Sequence, residues 1–352
     1  MIIVRPFGTL PGGGQVEAIT LSNPAGMAVT ILTWGATLQA VLVPDAAGAL
    51  ADVVLGHADL APYLAQPQYF GATVGRYANR IAGGRFQLDG RSWQIPLNNG
   101  ANALHGGPQG FDQANWTVHD VGADSLCLMH VSPAGDQGFP GTLTTTAHWR
   151  LADDNVLHIE YQAHCDAPTI VNITNHAYWN LSGEGTGSAM AHRLQILADA
   201  FLPVDAGAIP TGEMREVADT AFDFRTPTPI EQRLRDAREP QLRLGRGYDH
   251  NWVLRPARGD CRLAARLDDP ASGRWLELHS DQPGLQFYSG NFLDGSSSGK
   301  SGRLYRMGDA VALEPQLFPD TPNQPAFGSA RLDPGALYRH RIKLHFGADR
   351  PR

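Results

Sequence analysis

Apolar and polar residues alternate with a period of two along much of this chain, the signature of strands that turn one face to a core. In "VLHIEYQAH" (156–164), Leu157, Ile159, Tyr161 and Ala163 share one parity, and His158, Glu160, Gln162 and His164 share the other. Together with "TTTAHWRL" and the turn "ADDN" before it, this stretch predicts an antiparallel hairpin whose histidines are solvated. "GRFQLDGRSWQIPLN" (84–98) predicts a second hairpin, in which Phe86 and Leu88 alternate into Asp89-Gly90 and Trp93, Ile95 and Leu97 alternate out. Asp-Gly suits a type I′ turn, where both central residues need positive φ. Further strands are predicted in "MAVTILTW", "DHNWVL", "WLELHS", "LQFYSGNF", "AVALEP" and "RHRIKLHF". Helical spacing is confined to "DLAPYLAQ" (59–66) and "IEQRLRDAR" (230–238). Serial strands with few, short helices point to sheet packed on sheet: an all-β fold, a single large β-sandwich with 1–352 as one domain.

The alternation is most unusual around "TNHAYWNL" (174–181). Val171, Ile173, Ala177, Trp179 and Leu181 fall on one parity, and Asn172, Thr174, His176, Tyr178 and Asn180 on the other. This predicts a half-buried strand whose polar face carries no Lys, Glu or Arg, unlike an ordinary solvent face. Such a face can hydrogen-bond a ligand. It can also be structural, because the chain holds 13 histidines and most must be unremarkable.

Composition narrows the partners. The balance of 28 basic against 35 acidic residues gives a net charge of −7 with no basic run, which disfavours nucleic acid and anionic membrane. Gly and Pro are spread along the chain as turns. Cys127, Cys165 and Cys261 are odd in number and far apart, so neither a disulfide framework nor a paired-cysteine metal site is indicated. With no signal-peptide core and no apolar run of spanning length, a soluble cytoplasmic protein, monomer or homodimer, is expected.

"DGSSSGKSG" (294–302) resembles the end of a phosphate-binding loop, but Asp294 stands where the first glycine belongs and no helix pattern follows, so it reads as a flexible loop. Metal-site spacings such as HExxH, HxH or paired CxxC are absent from the sequence. Metal-free acid–base chemistry or plain binding remain. Four stretches are dense in groups suited to a sugar: "GRYANRIAGG" with Asn79 and Arg80, "NNGANALHGGPQGFD" with His105, "GRGYDHNWVL" with Asp249, and "VALEPQLFPD" with Glu314. Singly, Arg80 also reads as a surface ion pair, His105 as a turn residue and Asp249 as a strand cap. Glu314 is harder to dismiss, since a carboxylate ending a small, apolar strand is costly to desolvate without a partner or a purpose.

These residues lie in segments that resemble the aldose 1-epimerase family in order and spacing. The segments include "GATVGRYANRIAGGRF", "LNNGANALHGGPQGFDQANW", "GFPGTL", "VNITNHAYWNLSG", "LPVDAGAIPTGE", "FDFRTP", "YDHNWVL", "LQFYSGNFLDG" and "EPQLFPDTPNQPAF". The resemblance implies a galactose-mutarotase-like β-supersandwich that interconverts anomers of a small-molecule sugar with no metal and no cofactor. It also implies His176 as general acid, Glu314 as general base, and Asn79, Arg80, His105, Tyr178, Asp249 and Gln286 as sugar contacts. Tyr178 or Trp179 could line the site. Pro315 and Trp252 depart from the family pattern, where threonine and phenylalanine are frequent, and either could shift sugar preference. Two other classes stay open: a non-catalytic sugar-binding protein, and a glycosidase using Glu314 with Asp249.

If the acid and base face each other across a partly solvated cleft, mutual attraction should keep His176 charged and Glu314 ionised, placing the alkaline limb of kcat/KM on His176. The reverse protonation state gives a bell of similar shape.

Overall fold

The structure is a computed structural model and describes residues 1–65, 68–256 and 261–349. Three antiparallel sheets dominate it. Residues 2–52 form a five-stranded sheet in sequential order, from Ile2–Thr9 to Leu50–Asp52. A nine-stranded sheet runs from Thr117–Val121 through Ser125–Ser132, Leu143–Leu151, Val156–Cys165, Tyr338–Ala348, Arg274–Ser280, Arg262–Asp268 and Arg193–Ile196 to Thr228–Pro229. A six-stranded sheet is ordered Tyr178–Trp179, Val311–Gln316, Gly284–Tyr288, Asp249–Leu254, Ala198–Leu202, Arg215–Glu216. The fold is an all-β sandwich.

Local chemistry explains most elements. Leu157, Ile159, Tyr161 and Ala163 are buried while His158, Glu160, Gln162 and His164 stay partly or fully exposed, and this strand pairs in register with Leu143–Leu151. Asp89 and Gly90 both take positive φ, 50° and 73°, as the type I′ hairpin demands. Its outgoing strand is less regular than its pattern, for Ile95 is buried and Leu97 is exposed. Leu157, Ile159, Leu276, Leu278 and Leu344 of the nine-stranded sheet share one apolar core with Leu285, Phe287 and Leu313 of the six-stranded sheet. Burying each such side chain contributes about 1.5–3 kcal/mol.

Helices are short, at Leu60–Ala65, Glu231–Leu234 and Pro240–Gly245. The first two fall within the predicted stretches, although Gln66 lies outside the described residues. The third is capped by Glu239, whose carboxylate accepts the Gln241 N–H, and carries Pro240 in its first turn. Among the described residues, no helix is long and apolar enough to cross a membrane.

Two expectations from the sequence need correction here, and one alternative is decided. Residues 171–181 are buried on both faces, and pairing breaks at His176 between Thr174–Asn175 and Tyr178–Trp179. Each half-strand is covered on its polar side by another part of the chain, which alternation cannot show. The "GSSSGKSG" stretch is not a free loop: Asp294–Ser298 and Leu304–Arg306 form a hairpin. Its Lys300 ammonium reaches Asp52 at 2.6 Å and donates to the Gln39 carbonyl. Trp179 belongs to the apolar core and leaves the site to Tyr178.

Candidate active site

Period-two geometry puts a row of polar side chains on one face of the six-stranded sheet. Gln286 is paired across the sheet with Glu314 on one side and Asn251 on the other, while Tyr288 faces Ala312 and Asp249, and Ala312 faces Tyr178. Leu313, Phe287, Leu285 and Trp252 point the opposite way, into the core. Trp252 donates its indole N–H to the Phe222 carbonyl, and Pro315 pairs with Leu285. Neither Trp252 nor Pro315 borders the cavity described next, so the two departures from the family pattern sit behind the sheet.

A cavity of about 570 Å³ lies over the polar face, within the usual size range of small-molecule sites. All eight residues singled out in the sequence border it: His176, Glu314, Asn79, Arg80, His105, Tyr178, Asp249 and Gln286. Sequence patterning did not single out Tyr69, Asn99, Tyr288 or Phe292, which also line it. Tyr288 was within reach of the alternation rule, being two residues from Gln286 on one strand. Tyr69 belongs to a turn, with φ 59°, and gave no periodic signal.

His176 is held by both of its main-chain groups. Its N–H donates to the Ala72 carbonyl at 2.9 Å and its carbonyl accepts from Gly71 N–H at 3.0 Å. Gly71 is required there, for a Cβ would lie 2.1 Å from the Leu38 carbonyl oxygen. The imidazole stacks on Tyr178 at 5.0 Å and on Tyr69 at 5.7 Å between ring centroids, which fixes its plane. Its Nε2 stands 3.5 Å from Glu314 Oε1, with both side chains buried.

Burial dominates the electrostatics of this pair. It pushes the His176 imidazole down to about 4, against a weaker pull from its own main-chain carbonyl. It pushes the Glu314 carboxyl well above the usual range, reinforced by Asp249 and opposed by Arg80. The expected dominance of mutual attraction does not hold in the unliganded site, because both groups lose nearly all contact with water.

His105 presents a defined tautomer. Asn79 N–H donates to its Nδ1 at 3.1 Å, so the ring proton sits on Nε2 as a donor. Burial, with His176 and Arg80 nearby, holds His105 well below the ordinary histidine range and therefore neutral. Its turn depends on Gly106, where a Cβ would meet the Gly75 carbonyl oxygen at 2.1 Å. His105, His176 and Glu314 offer ligand atoms within 4.8 Å of one another, close enough for one cation. The His105 tautomer argues against that use, since an Nε2 that carries the proton has no lone pair for a metal.

The remaining groups form an anchor. Asp249 accepts from Gln286 Nε2 at 2.8 Å through one oxygen and lies 3.7 Å from Arg80 Nη2 through the other. Arg80 also donates through Nε to Asn99 Oδ1 at 3.0 Å, and its main-chain N–H donates to Asn79 Oδ1 at 2.8 Å. Behind the sheet, Asp249 N–H donates to His250 Nδ1, and His250 Nε2 in turn donates to Gln241. Guanidinium, carboxylate and amide together suit the hydroxyls of a sugar. Arg80→Ala should raise KM about 10–100-fold, the loss expected for a charge-assisted hydrogen bond. Part of the loss should appear in kcat through misorientation. An unchanged KM in steady-state kinetics would remove Arg80 from the binding set.

A family model described as aldose 1-epimerase matches residues 17–345. The chain is 44% identical to galactose mutarotase of Mus musculus over 341 residues, 97% of each chain. It is 40% identical to aldose 1-epimerase of Escherichia coli (strain K12) over 342 residues, 96% of this chain and 97% of that one. Among solved structures, an aldose epimerase homologue from C. elegans superposes with a TM-score of 0.88 at 33% identity, covering 95% of this chain and 99% of that chain. Galactose 1-epimerase from Lactobacillus acidophilus NCFM gives a TM-score of 0.86 at 30% identity, covering 99% of both chains.

Proposed function

The chain belongs to the aldose 1-epimerase family, and on that premise we propose that Glu314 and His176 carry its reaction as an acid–base pair sharing one proton. The enzyme interconverts the α and β anomers of free aldoses. One observation carries the residue assignment: a carboxyl and an imidazole, both buried, meet at 3.5 Å on the wall of a sugar-sized cavity.

Glu314 takes the proton of the anomeric hydroxyl while His176 delivers its proton to the ring oxygen. The C1–O5 bond breaks with its electron pair going to O5, and an open-chain aldehyde forms. Rotation about C1–C2 followed by reclosure, with the roles exchanged, yields the other anomer and restores the pair. A positioned acid and a positioned base each contribute roughly 10²–10⁴-fold, and the reaction needs no covalent nucleophile. Arg80, Asp249, Gln286, Asn79 and His105 orient the remaining hydroxyls, with Tyr178 against the sugar. The glycosidase alternative loses support because both Asp249 oxygens are engaged, by Gln286 and by Arg80.

Burial makes the ionised form of the pair the minor one in the empty site. A bound sugar shifts this balance, because the anomeric O–H donates to a carboxylate while the ring oxygen, which has no proton, accepts only from a donor. NMR titration of the His176 ring should show a neutral imidazole near pH 7 in the free enzyme and partial protonation when sugar is bound. A ring that stays neutral in the complex would exchange the two roles. Polarimetry on fresh α-D-glucose and α-D-galactose tests the activity and ranks the two sugars. Rates should be unaffected by EDTA, and loss on chelation restored by a divalent ion would overturn the metal-free mechanism.

A further inference from the structure

The polar face of the six-stranded sheet continues past Glu314 to groups that the acid–base pair does not use. Gln316 is two residues beyond Glu314 on one strand, so both side chains leave the same face. Its partner across the sheet is Gly284, whereas Glu314 is opposite Gln286 and Gln286 is opposite Asn251. The glycine lets the Asn251 amide lie against the neighbouring strand, for a Cβ built there would be 2.3 Å from Asn251 Oδ1. In this neighbourhood Glu314 Oε2, Asn251 Oδ1 and both amide atoms of Gln316 are buried without a protein partner. Gln316 is 0% exposed and Asn251 1%. An unsatisfied buried polar atom costs about 1–3 kcal/mol, which a leucine in place of Gln316 would avoid. Amides in such a place need something to bind.

We propose that Gln316 and Asn251 are positioning residues for anomer interconversion, forming with one internal water shared among their unpartnered amide atoms and Glu314 Oε2 a polar floor that solvates the buried Glu314 carboxylate. The water accepts from Gln316 Nε2–H and donates to Glu314 Oε2 and Asn251 Oδ1, which is the usual complement of about three bonds for a buried water. Donation to the carboxylate favours its charged form. The share of one-proton pairs with Glu314 ionised and His176 protonated rises accordingly. This inference rests on Glu314 acting as the base.

The test is the pH profile of kcat/KM for Gln316→Leu. Without the floor, Glu314 holds its proton to higher pH and the ionised form of the pair becomes rarer by the same factor. The plateau should fall roughly tenfold while the alkaline limb moves up by about one pH unit. At pH values above both limbs the variant and wild-type curves should converge. Activity lost with an unmoved limb marks a merely structural residue and overturns the proposal, as does a wild-type profile. Should Gln316→Leu fail to fold, Asn251→Leu removes an acceptor of the same water and is expected to shift the limb in the same direction. No shift there also overturns it. Glu314→Gln separates the two levels: full activity in that variant removes the base assignment itself. An inactive Glu314→Gln beside an unmoved Gln316→Leu profile removes the floor alone.

Discussion

Glu314→Gln is expected to lower kcat by roughly 10²–10⁴-fold while leaving the fold as stable as before, or more so. Glutamine keeps the shape of the side chain and removes the carboxylate proposed as the base. Because the wild-type carboxyl is buried and its Oε2 lacks a protein partner, it must take up a proton on folding, and a neutral amide avoids that cost. His176→Gln should produce a loss of similar size, since either half of the pair is useless without the other. For the same reason the double variant should be hardly slower than either single one. Stopped-flow polarimetry gives the rates, and thermal unfolding supplies the control. A Glu314→Gln enzyme with wild-type turnover would refute the assignment, and so would losses that multiply in the double variant.

Acidification should unfold the protein steeply between about pH 6.5 and pH 4, the interval between the ordinary histidine value and those of its buried histidines. Burial holds His176 and His192 at about 4 and His250 at about 3. A folded value below the unfolded one means that the unfolded chain binds the extra protons. The stability these groups contribute is therefore complete above about 6.5 and is lost as the pH falls. Each adds a slope of about 1.4 kcal/mol per pH unit within the interval. Asp112, raised to about 6 by burial, and Glu314 act in the opposite sense, keeping protons that the unfolded chain releases. Buried His105 and His340, also lowered, add to the histidine side. Urea unfolding at pH 7 and pH 4.5 should show a net fall on the order of several kcal/mol. Stability that is flat or rising over that range would mean that these histidines do not stay neutral in the folded chain.

Short-range physics in the sequence determined the strands, the Asp89-Gly90 turn and the parity of Leu157, Ile159, Tyr161 and Ala163. Backbone sterics and a two-residue side-chain period act between near neighbours, so a few residues suffice to read them. The polar types of His176, Glu314, Arg80 and Asp249 were equally plain, because such groups on apolar or glycine-rich segments call for a partner. Gathering them was the work of the tertiary fold, which brings His176 and Glu314 to 3.5 Å and ties Asp249 to Gln286 and Arg80. It also decided what alternation could not reach: the burial of 171–181 on both faces, the ion pair that pins Lys300, and the place of Trp252 and Pro315 behind the sheet. The charge state of the pair belongs here too. Whether His176 carries a proton depends on how much water the surrounding chain removes from it, and that is a property of packing between segments far apart in sequence.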